Sequence, residues 1–157
     1  MPTQPDPTDE SVERRRWMRI LARAKRNELE AAWNGGNDLP GFAWVRRPET
    51  GMTMVRGRAG GAGRPFNLGE MTVTRCALRL DPGILGVAYV AGRDKRHCEL
   101  AALFDALMQD PARHDEIDER VIRPLARAQD DRRGEARRKT AATRVEFFTM
   151  ATGREAP

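Results

Sequence analysis

Trp17, Ile20, Leu21 and Ala24 recur at the i, i+3, i+4, i+7 spacing of one helical face, while Arg14, Arg15, Arg16, Arg19 and Arg23 mostly fill the remainder. That pattern predicts an amphipathic basic helix over about residues 10–26. Asn27 followed by Glu30 has the form of a capping box, so a short second helix carrying Leu29 and Trp33 is expected until Gly35-Gly36 ends it. The period then changes. Residues 42–45 and 52–55 are strand-like runs, and the Pro48-Glu49-Thr50-Gly51 between them has the residues of a turn. Residues 71–80 are rich in β-branched side chains, and Asp81-Pro82-Gly83 reverses them into a further strand at 84–90. Four strands in an antiparallel meander, spanning residues 42–91, are the expectation. Asp94 is placed to cap the next helix, whose Leu100, Leu103, Phe104 and Leu107 form an apolar stripe able to cover one face of that sheet.

Beyond Pro111, Ile117, Val121, Ile122 and Leu125 predict another helix, which Pro124 must kink or restart. Residues 126–144 then carry seven basic and three acidic side chains with almost no large apolar group, the composition of an arm that is solvated or docked on a partner. Residues 144–150 have strong β character and include Phe147, Phe148 and Met150, an apolar end that needs a cover. The fold class expected is α+β: a four-stranded antiparallel sheet with the N-terminal and central helices packed on it and a C-terminal helical arm. A mobile Pro-rich leader (1–8), a core (9–125) and a charged helical arm with an apolar end for partner docking (126–157) are the expected organisation.

A chain of 157 residues fits one domain with its own core. Lys and Arg number 28 against 23 Asp and Glu, a net charge of +5 that directs attention to anions, nucleic acid or an acidic protein surface. Cys76 and Cys98 stand in different predicted elements without metal or redox spacing, and read as reduced, buried thiols. No signal-type apolar region opens the chain and no run of about 18 apolar residues occurs, so a cytoplasmic protein that does not span a membrane is expected.

Gly60-Gly61-Ala62-Gly63-Arg64 invites comparison with a phosphate cradle, but it lacks the Lys-Ser/Thr of a P-loop and runs into a strand. An ordinary hairpin loop is the stronger reading. Gly92-Arg93-Asp94-Lys95-Arg96-His97 is better placed, because cationic side chains crowd the positive end of a helix dipole and invite an anion. Arg93, Lys95 and His97, with Arg75, are the anion-facing or interface candidates; the competing reading has Arg93 and Lys95 solvated and His97 a satisfied boundary histidine. Trp17, Phe147, Phe148 and Met150 are the candidates for a partner interface. His114 beside Asp115, Glu116 and Asp118 reads as a solvated helix start rather than a metal site. No pair of carboxylates, nucleophile with base or metal cluster emerges, so no catalytic or metal-ligating residue is named. The Arg-rich runs have no interleaved aromatic platform, which leaves a basic nucleic-acid-binding or regulatory module as the alternative reading, supported by charge alone.

Taken in order, Trp17-Met18 with Leu21-Ala22, Pro48-Glu49-Thr50-Gly51, Gly60-Gly61-Ala62-Gly63, Gly69-Glu70-Met71-Thr72-Val73-Thr74-Arg75, Leu85-Gly86, Gly92 to His97, Asp105-Ala106-Leu107 and Arg144 to Met150 resemble the PhnG family. That family is the G subunit of the bacterial carbon-phosphorus lyase core complex, and the resemblance runs from about Trp17 to Gly153. It implies an accessory subunit that works with the H, I and J subunits, and with L in the synthase reaction, in organophosphonate catabolism. The reaction implied moves an alkylphosphonate onto ribose C1 of ATP and releases adenine. The resemblance puts the nucleosidase chemistry on the I subunit, and carbon-phosphorus cleavage on J with an iron-sulfur cluster and S-adenosylmethionine. No cofactor and no catalytic residue is implied for this chain. Nucleic acid and membrane are not expected partners.

Overall fold

The computed structural model describes residues 9–34, 41–60, 62–81 and 83–142. Helix α1 (Asp9–Arg23) opens with Asp9 and Glu10 and ends with Arg23, charges that suit its dipole at both ends. Trp17, Ile20, Leu21 and Ala24 are buried, the face that periodicity predicts. Helix α2 (Arg26–Asn34) starts one residue before the expected Asn27 cap. Glu28 makes the backward contact, its carboxylate accepting the Lys25 N–H at 2.9 Å. It stands at the capping-box spacing from Lys25, while Glu30 pairs instead with Arg26 at 3.5 Å.

The sheet has three antiparallel strands in the order β1-β2-β3, not four: β1 (Phe42–Arg58), β2 (Pro65–Leu80) and β3 (Ile84–Ala91). The reversal expected at 48–51 does not occur. β1 runs through it, slipping register between Trp44 and Arg46 and again between Arg46 and Glu49. Pro48 has no N–H to give, and an edge strand with an irregular register tolerates that loss without turning. The glycine cluster is the hairpin loop that joins Arg58 to its partner Pro65, with Gly60 at φ +58. At the other turn the Gly83 N–H donates to the Leu80 carbonyl at 2.6 Å.

Along β2 and β3 burial alternates with period two. Thr74, Cys76, Leu78, Leu80, Gly86, Ala88 and Val90 face inward, and Arg75, Arg79, Leu85 and Tyr89 outward. Helix α3 (Lys95–Met108) lies on the inward face, with α1 and α2 on its other side, so it is buried on almost every side from His97 to Met108. Leu100, Leu103, Phe104 and Leu107 are core, as expected. Asp94 caps α3, accepting the His97 N–H at 2.9 Å. Gly86 sets the distance between the layers: a Cβ there would fall 2.1 Å from the Ala102 carbonyl oxygen and 2.8 Å from the Ala106 Cβ.

Ile117, Val121, Ile122 and Leu125 are buried on a helical stretch made of α4 (His114–Ile117), a π turn (Asp118–Ile122) and α5 (Arg123–Ala142). In the π turn the Arg123 N–H reaches back to the Asp118 carbonyl. The wider turn gives the ring of Pro124 the room that a regular α-helix denies it. The arm is partly docked: the Gln129 side-chain amide donates to the Ile20 carbonyl at 2.8 Å, and Arg132 pairs with Glu28 at 2.5 Å. From Glu135 to Ala142 it is exposed. The leader at 1–8 and the apolar end with Phe147, Phe148 and Met150 lie outside the described residues. Among the described residues no helix is long and apolar enough to cross a membrane.

Candidate partner interface

The start of α3 keeps only part of the cationic cluster expected there. The His97 ring is 8% exposed and one ring nitrogen lies 2.9 Å from the Leu21 carbonyl, so it ties α3 to α1. Arg96 pairs with Glu99 at 2.9 Å. Arg93 and Lys95 are exposed and form no ion pair among the described residues. Arg26 comes within 3.9 Å of the capping carboxylate of Asp94 and adds a third positive charge at this corner. The loop before the cap is held by Thr74, whose hydroxyl donates to the Gly92 carbonyl at 2.8 Å and meets the Thr50 hydroxyl at 3.1 Å.

Arg75 is not part of that corner, because it projects from the opposite face of the sheet. There its guanidinium donates to Glu49 at 2.8 Å, and Arg46 reaches the same carboxylate at 3.0 Å. The Arg75 bond, then the two guanidinium charges, hold the Glu49 carboxyl below its ordinary value, and Arg75 is raised by Glu49 and by Tyr89. Among the described residues no helix covers this outer face, where Tyr89 and Leu85 are exposed beside Arg75 and Arg79. Trp17, expected at an interface, is instead 4% exposed, its indole N–H donating to Asp105 at 2.9 Å. Its amphipathic-helix position predicts core as readily as contact surface, and the core has it.

Sequence reasoning missed an extended apolar feature that is exposed among the described residues. β3 stops pairing at the Val73–Ala91 rung, but β1 and β2 continue together to Arg58 and Pro65. The result is a two-stranded ribbon reaching about 25 Å past the end of β3. It displays Met52 and Leu68, both 66% exposed, with Met54, Phe66 and Met71. The period-two spacing of Met52 with Met54 and of Phe66 with Leu68 was the available signal, since no helix stripe remained to cover them.

Among the described residues no three His, Cys, Asp or Glu side chains gather to hold a metal. Cys76 and Cys98 are free and buried, with their sulfurs 3.4 Å apart. The hydrogen bond between them and burial hold the Cys76 thiol well above its ordinary value, which leaves it an inert neutral group. His114 is half-buried, Nδ1 lying 2.7 Å from the Met108 carbonyl and the ring edge-on to Trp17. What the described surface offers is contact area: an uncovered sheet face, an apolar ribbon and a cationic corner.

Residues 12–153 match the model of a family described as phosphonate metabolism protein PhnG. The chain is also 48% identical, over 146 residues, to the alpha-D-ribose 1-methylphosphonate 5-triphosphate synthase subunit PhnG of Rhizobium meliloti (strain 1021), an alignment that covers 92% of each protein.

Proposed function

Because this chain belongs to the PhnG family, we propose that it is an accessory subunit of a ribose 1-methylphosphonate 5-triphosphate synthase complex in phosphonate catabolism. The observation that carries the reading is the 48% identity to a protein named as a subunit of that synthase, over nearly the full length of both. In the reaction the bond from ribose C1 to adenine breaks and a bond from C1 to a phosphonate oxygen forms, leaving free adenine and a ribose 1-alkylphosphonate 5-triphosphate. This chain's part is to bind and position other subunits. The buried thiols and the uncovered sheet support that role better than a catalytic one. Its partners are the H, I and J subunits, with L in the synthase reaction. ATP is the substrate nucleotide, and the iron-sulfur cluster with S-adenosylmethionine belongs to J. The setting is cytoplasmic.

Adenine release from ATP and methylphosphonate, measured with the partner subunits in the presence and absence of this chain, tests the proposal. Omission should abolish turnover, and the chain alone should give none. Arg93→Ala with Lys95→Ala divides the roles of the cationic corner. Loss of assembly marks a partner carboxylate, and intact assembly with a raised KM marks the polyphosphate substrate. Turnover unaffected by omission of the chain would overturn the proposal.

A further inference from the structure

We propose that the open edge of β2 over residues 66–72 receives an extended strand from a partner chain, an apolar segment bordered by acidic residues. The inference rests on the subunit reading above and specifies where and how one partner is held.

The sheet's three outer edges are treated differently. Beside β3, the Asp105 carboxylate accepts the Val87 N–H at 2.9 Å, and Arg14 and Gln109 donate to the Leu85 carbonyl at 3.2 and 2.9 Å. Side chains thus fill the positions a further strand would take. Along β1, Pro48, two register slips and the neighbouring Arg46 and Arg47 interrupt the edge. These are devices that prevent strand addition.

β2 beyond Val73 has no proline and no side chain laid along its open edge; its one irregularity is the slip between Val55 and Arg56, which leaves Leu68 without a rung and Gly69–Thr72 in regular register. The Thr72 carbonyl takes the Gly92 N–H at 2.9 Å, and past that bond no described strand lies beside it. Residues 66–72 contain no proline and no lysine, and Glu70 is their one charge. Seven residues match the length of an ordinary strand, and a two-stranded ribbon without a covered face is marginal by itself. A third strand supplies backbone partners and places its side chains beside Phe66 and Leu68, which converge over Gly57, where a Cβ would lie 3.8 Å from each.

Charge selects the occupant. Arg56, Arg58 and Arg64 face a single acid, Glu70, across residues 51–72, so the ribbon is cationic toward its tip. A second copy would bring two such tips together, whereas an acid-bordered strand complements one.

Hydrogen exchange of the full chain, alone and in the assembled complex, is the test. The amides of this stretch that point away from β1, that of Glu70 among them, should exchange freely in the isolated chain and slow at least about a hundredfold in the complex. Two residues from Thr72, the Glu70 backbone points to the open side. Glu70→Pro therefore removes an edge donor without touching a β1 rung and should weaken assembly about tenfold, while Glu70→Gln leaves it near the parent value. A complex that forms with these amides still exchanging freely overturns the inference and leaves the subunit reading standing. Absence of any complex overturns both. Protection already present in the dilute free chain assigns the edge to residues 143–150, and protection that grows with its concentration assigns it to a second copy; either result overturns the proposal.

Discussion

Asp105 shows how one side chain can organise several elements. It sits fully buried in the middle of α3 and accepts the Arg14 guanidinium at 2.8 and 3.2 Å, the Trp17 indole at 2.9 Å and the Val87 N–H at 2.9 Å. A buried carboxylate is costly unless its lone pairs are satisfied, and here charge-assisted donors from α1 and β3 satisfy them. Asp105→Ala leaves the indole and the Val87 amide without a partner. It should cost about 3 kcal/mol, read as a fall in Tm of roughly 6–12 °C. Arg14, still a third exposed, recovers water and adds little to that loss. Gly86→Ala should cost a similar amount, about 2–3 kcal/mol in chemical denaturation, because the helix backbone at Ala102 cannot yield as a flexible side chain would. Neither role is legible from one sequence. The partners of Asp105 lie up to 91 positions away, and a helical stripe records only that Leu100, Phe104 and Leu107 are apolar.

Elements defined by local signals were legible, and elements defined by distant partners were not. The buried face of α1, the Asp94 cap, the stripe of α3 and the hairpin at Gly60 follow from spacing alone. β1 misleads because Pro48 and Gly51 are turn residues, while pairing with β2 at 14 positions on both sides of Pro48 outweighs their local preference. The arm was ambiguous for the same reason, since its docking depends on Glu28 in α2 meeting Arg132 in α5. Burial pushes the Glu28 carboxyl up, but the bond from Arg132, the Lys25 N–H and the two positive charges bring it below its ordinary 4.5. A group depressed in the folded state stabilises fully above its unfolded value and loses that contribution as pH falls through the folded one. The hold of α5 on α2 should therefore be intact at neutral pH and weaken below about pH 4.5. Hydrogen exchange or limited proteolysis of α5 at about pH 6 and about pH 3 measures this, and Glu28→Gln should remove much of the difference. Equal protection of the parent arm at both pH values would count against the clamp.

Across the described residues much of the exposed positive charge lies on the helices, while the exposed apolar side chains gather on the ribbon, where Arg56, Arg58 and Arg64 accompany them toward the tip. Arg15, Arg19 and Arg23 line the exposed side of α1, and Arg133, Arg137 and Arg138 the exposed part of α5, whereas Met52, Met54, Phe66 and Leu68 occupy the ribbon. With a net charge of +5, the cations, those of the ribbon tip included, act mainly on approach, over distances that salt screens, and the ribbon's apolar side chains and open backbone act after contact, where salt has less effect. The two readings of this charge separate on that basis. For a protein partner, the association rate should fall about tenfold between roughly 0.05 and 0.5 M salt while the dissociation rate changes little. For a phosphate backbone, the equilibrium affinity itself should fall log-linearly over the same range, with a slope set by the phosphates neutralised. Stopped-flow mixing of the chain with its partner subunits, beside a salt titration against duplex DNA, distinguishes the two. A salt-sensitive association rate with a steady dissociation rate, together with only weak and nonspecific DNA affinity, is the outcome expected of an assembly subunit. Tight DNA binding with a steep slope, and no measurable association with the subunits, would instead assign the charge to nucleic acid.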